Sequence, residues 1–295
     1  MNRFLMGPIS FGSSTPTIVW QTSEVRVNPG IERLVQGAQS VDVAFAGAVR
    51  QVPMLTFDSP AIARMLGVIG WSGANIDQVD VYFRLLEHGG AVKAGEVHTR
   101  VRLYDTLSVL RRIRATQFQE ATASFESIAV YDGTNLPLAI ANNVALPAYT
   151  AAHIEKFTVG PAEFHGTDVD NVQSIEVDTG ITEEIVGKDG DVYARLAAVR
   201  ERQPSVTVNT FDASALSTIG VGGASKDNAI FFLRALTNKG APASDSAPSH
   251  VKITAVDSHV TIEDMGDMTA INCQPVWDGS NDALSFETAQ AIVTS

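Results

Sequence analysis

The residues best suited to metal binding or catalysis are few and scattered along this chain of 295 residues. The histidines are His88, His98, His153, His165, His250 and His259. No two of them have the spacing of a helical ligand pair, and a single cysteine, Cys273, can form neither a disulfide nor a zinc site alone. We therefore predict no catalytic, metal-binding or cofactor-binding residue, and we expect Cys273 to be a buried, unreactive thiol.

One glycine-rich segment, 220–226, ends in Lys226 and could in principle bind phosphate. It lacks the Gly-x-x-x-x-Gly-Lys order of phosphate-binding loops, and the chain has no Gly-x-Ser-x-Gly elbow of a hydrolase. Its counterpart earlier in the chain is the run Gly67, Gly70 and Gly73, which is typical of a turn between a helix and a strand. We predict a turn in both places.

Charged residues are concentrated in two segments of opposite sign. The acidic run contains Asp168, Asp170, Glu176, Asp178, Glu183, Glu184, Asp189 and Asp191. The arginine patch contains Arg100, Arg102, Arg111, Arg112 and Arg114. The acidic run fails as an EF-hand loop, because Val172 stands where calcium needs an oxygen ligand. Two interpretations remain: both segments are solvated faces, or the arginine patch binds the acidic run of another subunit, since guanidinium groups suit carboxylate partners.

Short sequence matches recur in the same order in the two halves of the chain. They pair Ala48-Val49-Arg50 with Ala198-Val199-Arg200, Thr56-Phe57-Asp58 with Thr210-Phe211-Asp212, Val81-Tyr82-Phe83 with Ile230-Phe231-Phe232, Val101-Arg102-Leu103 with Val251-Lys252-Ile253, and Tyr131-Asp132-Gly133-Thr134-Asn135 with Trp277-Asp278-Gly279-Ser280-Asn281. The separations run from 146 (277 − 131) to 154 (210 − 56), close to half of 295. We therefore predict a tandem duplication. The expected organisation is an N-terminal arm at 1–15, a first domain at 16–145, a linker at 146–152 and a second domain at 153–295.

Apolar and polar residues alternate in short runs that end at turn residues, as they do in half-buried strands. The clearest run is 121–131, with its counterpart at 269–277, and both end in an Asp-Gly pair that favours a tight reversal. Asp189-Gly190 is a third such turn. Further strands are predicted at 79–86, 98–103, 205–210, 228–236 and 250–256. Residues 194–202 also have helical propensity, but their counterpart 41–51 alternates like a strand, so we predict a strand in both places. The predicted fold class is mainly β (α+β).

One short helix is expected in each half, after the Thr-Phe-Asp match. In the first half Ser59 can cap the helix, Pro60 suits its first turn and residues 61–66 propagate it. In the second half Asp212 could cap a helix at 213–218. Two long loops, 87–97 and 237–249, hold the same place in the two halves and are candidates for contacts with a neighbouring molecule.

The composition is that of a globular protein, with 45% apolar and 18% charged residues. The chain has no secretory signal pattern and no apolar stretch of the roughly 18 residues that span a bilayer, so we expect a soluble protein. Its net charge is −12, and residues 1–150 hold 12 basic and 12 acidic residues, which leaves 9 (21 − 12) and 21 (33 − 12) for the remainder. This acidity disfavours tight nucleic-acid binding but permits a surface past which nucleic acid slides; simple solubility is the alternative.

The segment Arg111-Arg112-Ile113-Arg114-Ala115, the strand 121–131 with its Asp-Gly-Thr-Asn turn, and the counterpart at 268–281 resemble a known family. This family is the major tail tube proteins of long-tailed bacteriophages (siphoviruses), in the form with two tube domains in one chain. The resemblance implies two tandem β-sandwich or barrel domains, each with a short flanking helix, and no enzymatic activity. It implies a virion structural protein that polymerises as stacked trimeric, pseudo-hexameric rings, forming the hollow tail tube through which phage DNA passes during ejection.

The same resemblance implies the partners and the location. The partners are other copies of the chain, the tail terminator, tail-tip or baseplate proteins, the tape-measure protein and phage DNA in the lumen, without sequence-specific contacts. No membrane is involved, and the location is the phage tail after synthesis in the bacterial cytoplasm.

Two alternatives remain open. A tail-tip or baseplate ring protein would share the fold, whereas a two-domain β-sandwich carbohydrate-binding module or enzyme would need an aromatic platform or a carboxylate pair. Against the second alternative, the matched aromatic pairs Phe57 with Phe211 and Tyr131 with Trp277 stand at positions where we expect core residues.

Overall fold

The structure is a computed structural model, and it describes residues 3–14, 17–20, 26–28, 31–37, 43–148, 155–212, 227–237, 240–264 and 268–293. Strands paired in antiparallel sheets account for about 63% of the residues, and the described part contains one short helix. The prediction of a mainly β protein is therefore confirmed.

The described elements follow one another in two similar series. The first series is β1 (Arg3–Phe11), β2 (Thr17–Val19), β3 (Arg26–Asn28), β4 (Ile31–Gly37), β5 (Val43–Gln51), β6 (Met54–Ser59), α1 (Ile62–Ile69), β7 (Ala74–Leu86), β8 (His98–Thr116), β9 (Thr122–Ala129) and β10 (Leu138–Val144). The second series is β11 (Phe157–Phe164), β12 (Thr167–Val169), β13 (Val172–Asp178), β14 (Ile181–Gly187), β15 (Ala194–Arg202), β16 (Ser205–Thr210), β17 (Asp227–Ala235), β18 (His250–Asp264), β19 (Thr269–Gln274) and β20 (Leu284–Gln290). Every predicted strand is present, including the irregular ones at 41–51 and 194–202.

The strand pairings of the second series repeat those of the first. β1 pairs with β2 and β7, β7 with β8, β8 with β9 and β10, β6 with β3 and β9, and β4 with β5. The same pairings join β11–β20 when ten is added to each strand number. Residues that hold the same place in the two schemes are called equivalent below. For example, Phe125 opposite Phe57 is equivalent to Ile271 opposite Val208.

One further pairing joins the two halves of the chain. β13 lies between β16 and β8, with Glu176 opposite Arg114 in an antiparallel register. This register sets Ile113 of β8 beside Val177 of β13, and both side chains are fully buried. The largest cluster of buried apolar residues includes members from both halves. The apolar core is therefore continuous across this pairing.

One long strand in each half changes its partner midway. β8 pairs with β10 up to Leu103 and with β9 from Thr106, and β18 exchanges β20 for β19 in the same way. Between the two partners lie Asp105 and Asp257, with positive φ angles of 45° and 47°. Aspartate enters this left-handed region more readily than most residues, because its short side chain can form local hydrogen bonds. The sequence predicted only the first part of each strand, because the apolar alternation breaks at this bend.

Helix α1 confirms the predicted helix of the first half, but the predicted cap is wrong: the helix begins at Ile62, its N-cap residue is Ala61, and Ser59 and Pro60 both precede it. The Oγ of Ser59 accepts a hydrogen bond from the backbone N–H of Ala61 at 3.1 Å, just before the helix begins. The helix ends at Gly70, whose φ of 60° requires the freedom of glycine and whose N–H donates to Leu66 O at 2.9 Å. The predicted second helix at 213–218 and the glycine-rich run at 220–226 lie outside the described residues. The cap by Asp212 was predicted for that helix and stays a prediction.

The first turn of α1 is completed from the other half of the chain. The backbone N–H of Arg64 donates to Oε2 of Glu155 at 3.0 Å, although 91 positions separate the two residues. A carboxylate at this place satisfies a helix N–H that has no partner within the helix, and it lies at the positive end of the helix dipole. Helix α1 therefore depends on both halves.

Four of the five sequence matches are displaced in the structure: those at Ala48 and Val81 by one residue, that at Val101 by two and that at Thr56 by three. Thr56 lies opposite Glu126 of β9, and Thr207 lies opposite Asn272 at the equivalent place on β19. Thr56 is therefore equivalent to Thr207 and not to Thr210. The residue equivalent to Thr210 is Ser59, and each of these hydroxyl groups accepts a hydrogen bond from the N–H two residues further along. The Thr-Phe-Asp match is therefore wrong by three residues, although both hydroxyls stand at the end of the same strand.

The expected burial of the matched aromatic pairs is wrong for one member of each pair. Phe57 is in the core and packs on other phenylalanine rings, whereas Phe211 is 54% exposed because it lies beyond the end of β16. Tyr131 is partly covered, but Trp277 is 70% exposed. The reason for the difference between Tyr131 and Trp277 lies in what covers each half.

The remaining predicted segments are placed as follows. Residues 3–11 of the expected arm form β1, which pairs with β7 and contributes buried Ile9 and Phe11 to the core. β10 continues to Val144, and 149–152 of the expected linker lie outside the described residues. The loops 87–97 and 237–249 are largely exposed where described.

Candidate assembly interface

The arginine patch and the acidic run meet within one chain. Nη1 of Arg112 lies 3.2 Å from Oε1 of Glu176, and its Nη2 lies 3.1 Å from Oδ2 of Asp178. Nε of Arg114 lies 3.3 Å from Oε2 of Glu176. All of these side chains are partly exposed, so each ion pair adds little stability, about 0–1 kcal/mol. Their arrangement still favours this strand register over others.

Arg111 forms the most buried part of this contact. It stands at a bulge in the β8–β9 pairing, between Leu110 and Arg112. Its guanidinium lies 2.8 Å from Oε2 of Glu126 and 2.7 Å from Oε1 of Glu183, and it donates to Ile181 O at 2.5 Å. Burial alone would lower the pKa of Arg111, but its hydrogen bonds to the two glutamates outweigh burial and raise it. Arg111 therefore remains charged and joins β9 to β14.

These contacts correct both sequence interpretations. Glu176, Asp178 and Glu183 of the acidic run do not form only a solvated face, and their arginine partners do not belong to another subunit. They bind the arginine patch of the same chain because β13 pairs with β8. The other two arginines of the patch surround buried Asp80: Arg102 binds it through two hydrogen bonds, of 2.7 and 2.8 Å, and Arg100 lies 3.8 Å away.

The hairpin β14–β15 of the second half covers the first half beside this strand pairing. A bridge links Gln51 to Tyr193, and the N–H of Tyr131 donates to Ala194 O at 2.8 Å. The ring of Tyr131 packs against Tyr193 and beneath the guanidinium of Arg195. A second apolar cluster fills the space between hairpin and sheet, and its buried members are Val52, Leu107, Val109, Ile128, Val130, Ile181, Ala194 and Ala197.

We call this contact the closed junction: the end of β8 (111–116) paired with β13, together with the hairpin β14–β15 over the sheet of the first half. It combines three kinds of contact, namely a strand pairing, a set of ion pairs and a small apolar core. Strand pairing supplies affinity through the backbone, and the side chains supply register.

The equivalent surface of the second half is uncovered. Leu107, Val109 and Ile128 of the closed junction are equivalent to His259, Thr261 and Gln274 in the pairing of β18 with β19. These three residues are exposed, as is Trp277, which is equivalent to Tyr131. We call this surface, formed by His259, Thr261, Gln274 and Trp277, the open face.

Two strand edges equivalent to those of the closed junction are also unoccupied. The segment Val260–Asp264 of β18 pairs with β19 on one side, and among the described residues it has no strand on the other. β3 pairs with β6 on one side, and within the same described ranges it has no second partner. These are the counterparts of the β8 segment and of β13.

Two histidines, which sequence reasoning left unassigned, hold the long loops in the same way. Nδ1 of His98 accepts a hydrogen bond from the N–H of Leu85 at 3.0 Å, and Nδ1 of His250 accepts one from Ala235 at 2.9 Å. Both imidazoles are buried. The signal in the sequence was their matched position at the start of a strand after each loop. The loops are thus presented on fixed bases, with their outer residues exposed.

The structure offers little to chemistry elsewhere. Burial raises the pKa of the Cys273 thiol to about 11, which agrees with the predicted inert cysteine. Within the described ranges, no three His, Cys, Asp or Glu side chains are grouped to hold a metal ion. None of the helical residues described here forms a segment long and apolar enough to cross a membrane. An open cleft of about 620 Å³ lies beside Trp277 and is also lined by Trp71 and Arg202.

Comparison with protein-family models finds no match, and comparison with curated proteins finds no significant match.

Proposed function

We propose that this chain is a structural protein of a bacteriophage tail. Three copies form a ring of pseudo-sixfold symmetry, and rings stack into the hollow tube that phage DNA traverses. The two halves, 16–145 and 153–295, are tandem tube domains that arose by duplication. The chain performs no catalysis, and its function lies in its surfaces and strand edges.

The observation that carries this proposal is that the chain contains one occupied and one unoccupied version of the same junction. β8 and β13 are joined within the chain, while the equivalent edges in β18 and β3 are free among the described residues. A chain with these two edges can repeat its internal contact head to tail with other copies. Head-to-tail contacts close into a ring when the rotation per contact divides a full turn, and three chains would supply six similar units.

Two other features support a stacked tube. The loops 87–97 and 237–249 are exposed and are anchored at their bases by His98 and His250, so they are placed to reach an adjacent ring. The net charge of −12 suits a lumen through which DNA must pass without binding.

Electron microscopy of the purified full-length chain tests the proposal. We expect rings with six similar densities and threefold symmetry, and long stacks of these rings at high protein concentration. Sedimentation velocity should show a trimer or its multiples. A chain that stays monomeric at all concentrations contradicts the proposal, and rings that never stack favour a tail-tip or baseplate ring protein.

One observation favours the carbohydrate-binding alternative. The exposed indole of Trp277 borders the cleft of about 620 Å³ that Trp71 and Arg202 also line, and aromatic rings beside a cleft are common in sugar-binding sites. A glycan array probed with the monomer distinguishes the two functions. Specific binding that is lost in Trp277→Ala, without ring formation by the parent chain, would establish the alternative.

A further inference from the structure

We infer that neighbouring chains in the proposed ring bind through a charge-reversed copy of the closed junction. The occupant of the open face is a second copy of this chain, and the inference rests on the proposed ring. The end of β18 in one chain pairs with β3 of the next, and the next chain's β4–β5 hairpin lies over the open face.

The first side of the contact has its charges reversed. Residues 111–116 of β8 include Arg111, Arg112 and Arg114, whereas residues 262–264 at the end of β18 include Glu263 and Asp264. The strand register shows one position at which an arginine of β8 is replaced by a glutamate of β18. Arg112 lies opposite Ser124 as Glu263 lies opposite Ala270, and these two pairs are equivalent in the two schemes. Glu263 is exposed and therefore accessible to a partner.

The second side is reversed at two positions. Arg26 of β3 lies opposite Thr56, and Glu176 of β13 lies opposite Thr207. Because Thr56 and Thr207 are equivalent, Arg26 is equivalent to Glu176. In the hairpins, Arg33 lies opposite Ala48 as Glu183 lies opposite Val199, and both hairpins have bulges at the same steps. An arginine thus replaces a glutamate at two of the three positions where β13 and its hairpin present carboxylates to arginines, and neutral Asn28 holds the place of the third, Asp178.

The equivalences define which residues should meet across the new contact. Within the chain, Arg112 and Glu176 form an ion pair at 3.2 Å. Their equivalents are Glu263 and Arg26, which carry the opposite signs. The pair between chains is therefore a glutamate of β18 with an arginine of β3, in the same strand register.

The charges also disfavour a competing contact, in which the end of β18 would replace β8 beside β13. Residues 111–116 carry +3, and residues 172–187 carry −4 from Glu176, Asp178, Glu183 and Glu184. Residues 262–264 carry −2, and the described residues of β3 and β4, 26–28 and 31–37, carry +1 from Arg26, Arg33 and Glu32. The β18 edge would meet four carboxylates if it displaced β8 from β13, whereas on β3 it meets one arginine, Arg26, at the position matching Glu263. Like charges disfavour the first pairing and leave the second open.

Trp277 supplies an apolar anchor for the same contact. Its equivalent, Tyr131, packs against Tyr193 and Arg195 of the covering hairpin β14–β15. Trp277 has no such cover within the described part of its own chain and is 70% exposed. Tryptophans of this kind are common centres of binding energy at protein interfaces. We therefore assign the β4–β5 hairpin of the next chain as the cover of Trp277.

Charge exchange tests the contact. Glu263→Arg and Arg26→Glu, each alone, should raise the concentration for half-maximal ring formation at least about tenfold in sedimentation velocity. The double variant should return it to within about threefold of the parent chain, because every contact then pairs Arg at 263 with Glu at 26. Glu287→Arg, an exposed reversal on β20, is the matched control and should assemble like the parent. Singles that assemble normally, or a double no better than the singles, overturn the inference.

Two further variants distinguish a loss of ring assembly from a loss of folding. Trp277→Ala should prevent ring formation while its thermal midpoint stays within about 2 °C of the parent chain, because an exposed side chain contributes little to monomer stability. Tyr131→Ala should instead lower the thermal midpoint, since Tyr131 is covered within the chain. Rings that form normally in Trp277→Ala overturn the inference and leave the ring proposal standing. A parent chain that forms no rings overturns both.

Discussion

Leu107 and His259 hold equivalent positions on β8 and β18, but their surroundings differ. Leu107 lies beneath the hairpin β14–β15 in a cluster of buried apolar side chains, whereas His259 faces solvent. The same contrast applies to Val109 with Thr261, and to Ile128 with Gln274. One scheme of strand pairings thus carries an apolar surface in the closed junction and a polar surface on the open face.

In the proposed ring, this difference follows from the stage at which each surface meets its partner. The closed junction forms as the chain folds, so its apolar side chains are never displayed by the folded molecule. The open face is in water whenever the chain is alone, and large exposed apolar patches and bare strand edges cause aggregation. Polar side chains on the face and the exposed carboxylate of Glu263 at the β18 edge disfavour such aggregation.

The largest effect is expected from truncating the apolar side of the comparison. Leu107→Ala should lower the free energy of unfolding by about 3 kcal/mol, because it leaves a cavity in a buried cluster. His259→Ala, at the equivalent position, should change it by no more than about 0.5 kcal/mol. Urea denaturation of the two variants measures both values. Equal losses would mean that the two surfaces do not differ in the way described.

The next effect concerns the charged part of the closed junction. Arg111→Ala leaves Glu126 and Glu183 without their shared cation, and we expect a loss of about 2 kcal/mol. This is below the range for fully buried pairs because the side chain of Arg111 is 30% exposed. Arg114→Ala, in a more exposed pair, should cost less than about 1 kcal/mol. The same denaturation experiment compares them, and an Arg114→Ala loss as large as that of Arg111→Ala would contradict the assignment.

The local patterns of the sequence predicted nine of the twenty described strands. Alternation placed β16 at 205–210, and Asp-Gly pairs placed the turns at 132–133, 189–190 and 278–279, where the glycines have positive φ. These features depend on neighbouring residues, which a single sequence displays. The helix after Ser59 was found for the same reason.

The contacts between distant segments could not be predicted in this way. Arg111, Arg112 and Arg114 look like a solvated surface until β13, about 60 residues later, is known to pair with β8. The exposure of Phe211 was missed because chance identity aligned Thr210 with Thr56, although pairing aligns it with Ser59. The open edge of β18 has no signal of its own, since an unpaired edge is defined by what lies beside it.

A smaller effect tests a second contact between the two halves, outside the closed junction. Glu155→Ala should lower the free energy of unfolding by about 1 kcal/mol, since it removes the carboxylate that accepts from the N–H of Arg64 in α1. Glu287→Ala on exposed β20 is the control and should have almost no effect. Urea denaturation detects this difference, and hydrogen exchange at Arg64 locates it. Unchanged protection at Arg64 would show that Glu155 does not cap the helix.

The smallest effect compares the same turn in the two regions. Hydrogen bonds from Asn135 and Thr134, and then the charge of Arg195, lower the pKa of Asp132; the turn at Asp278 has the same hydrogen bonds, which also lower its pKa. Each carboxylate thus adds stability above the unfolded pKa of about 3.9, and this stability is lost as the pH falls through the lower folded value. In Arg195→Gln, the pKa of Asp132 should rise and that of Asp278 should not. Carboxyl titration by NMR measures both, and equal responses would remove the difference.

The hydrogen bond between Glu155 and helix α1 also has a consequence for synthesis on the ribosome. Arg64 is translated 91 positions before Glu155, which at about 5–20 residues per second is a delay of roughly 5–18 seconds. The exposed edge of β8 likewise waits for β13. The nascent first half is therefore incomplete when it emerges, and a pause or truncation before residue 178 should yield an unstable, protease-sensitive product.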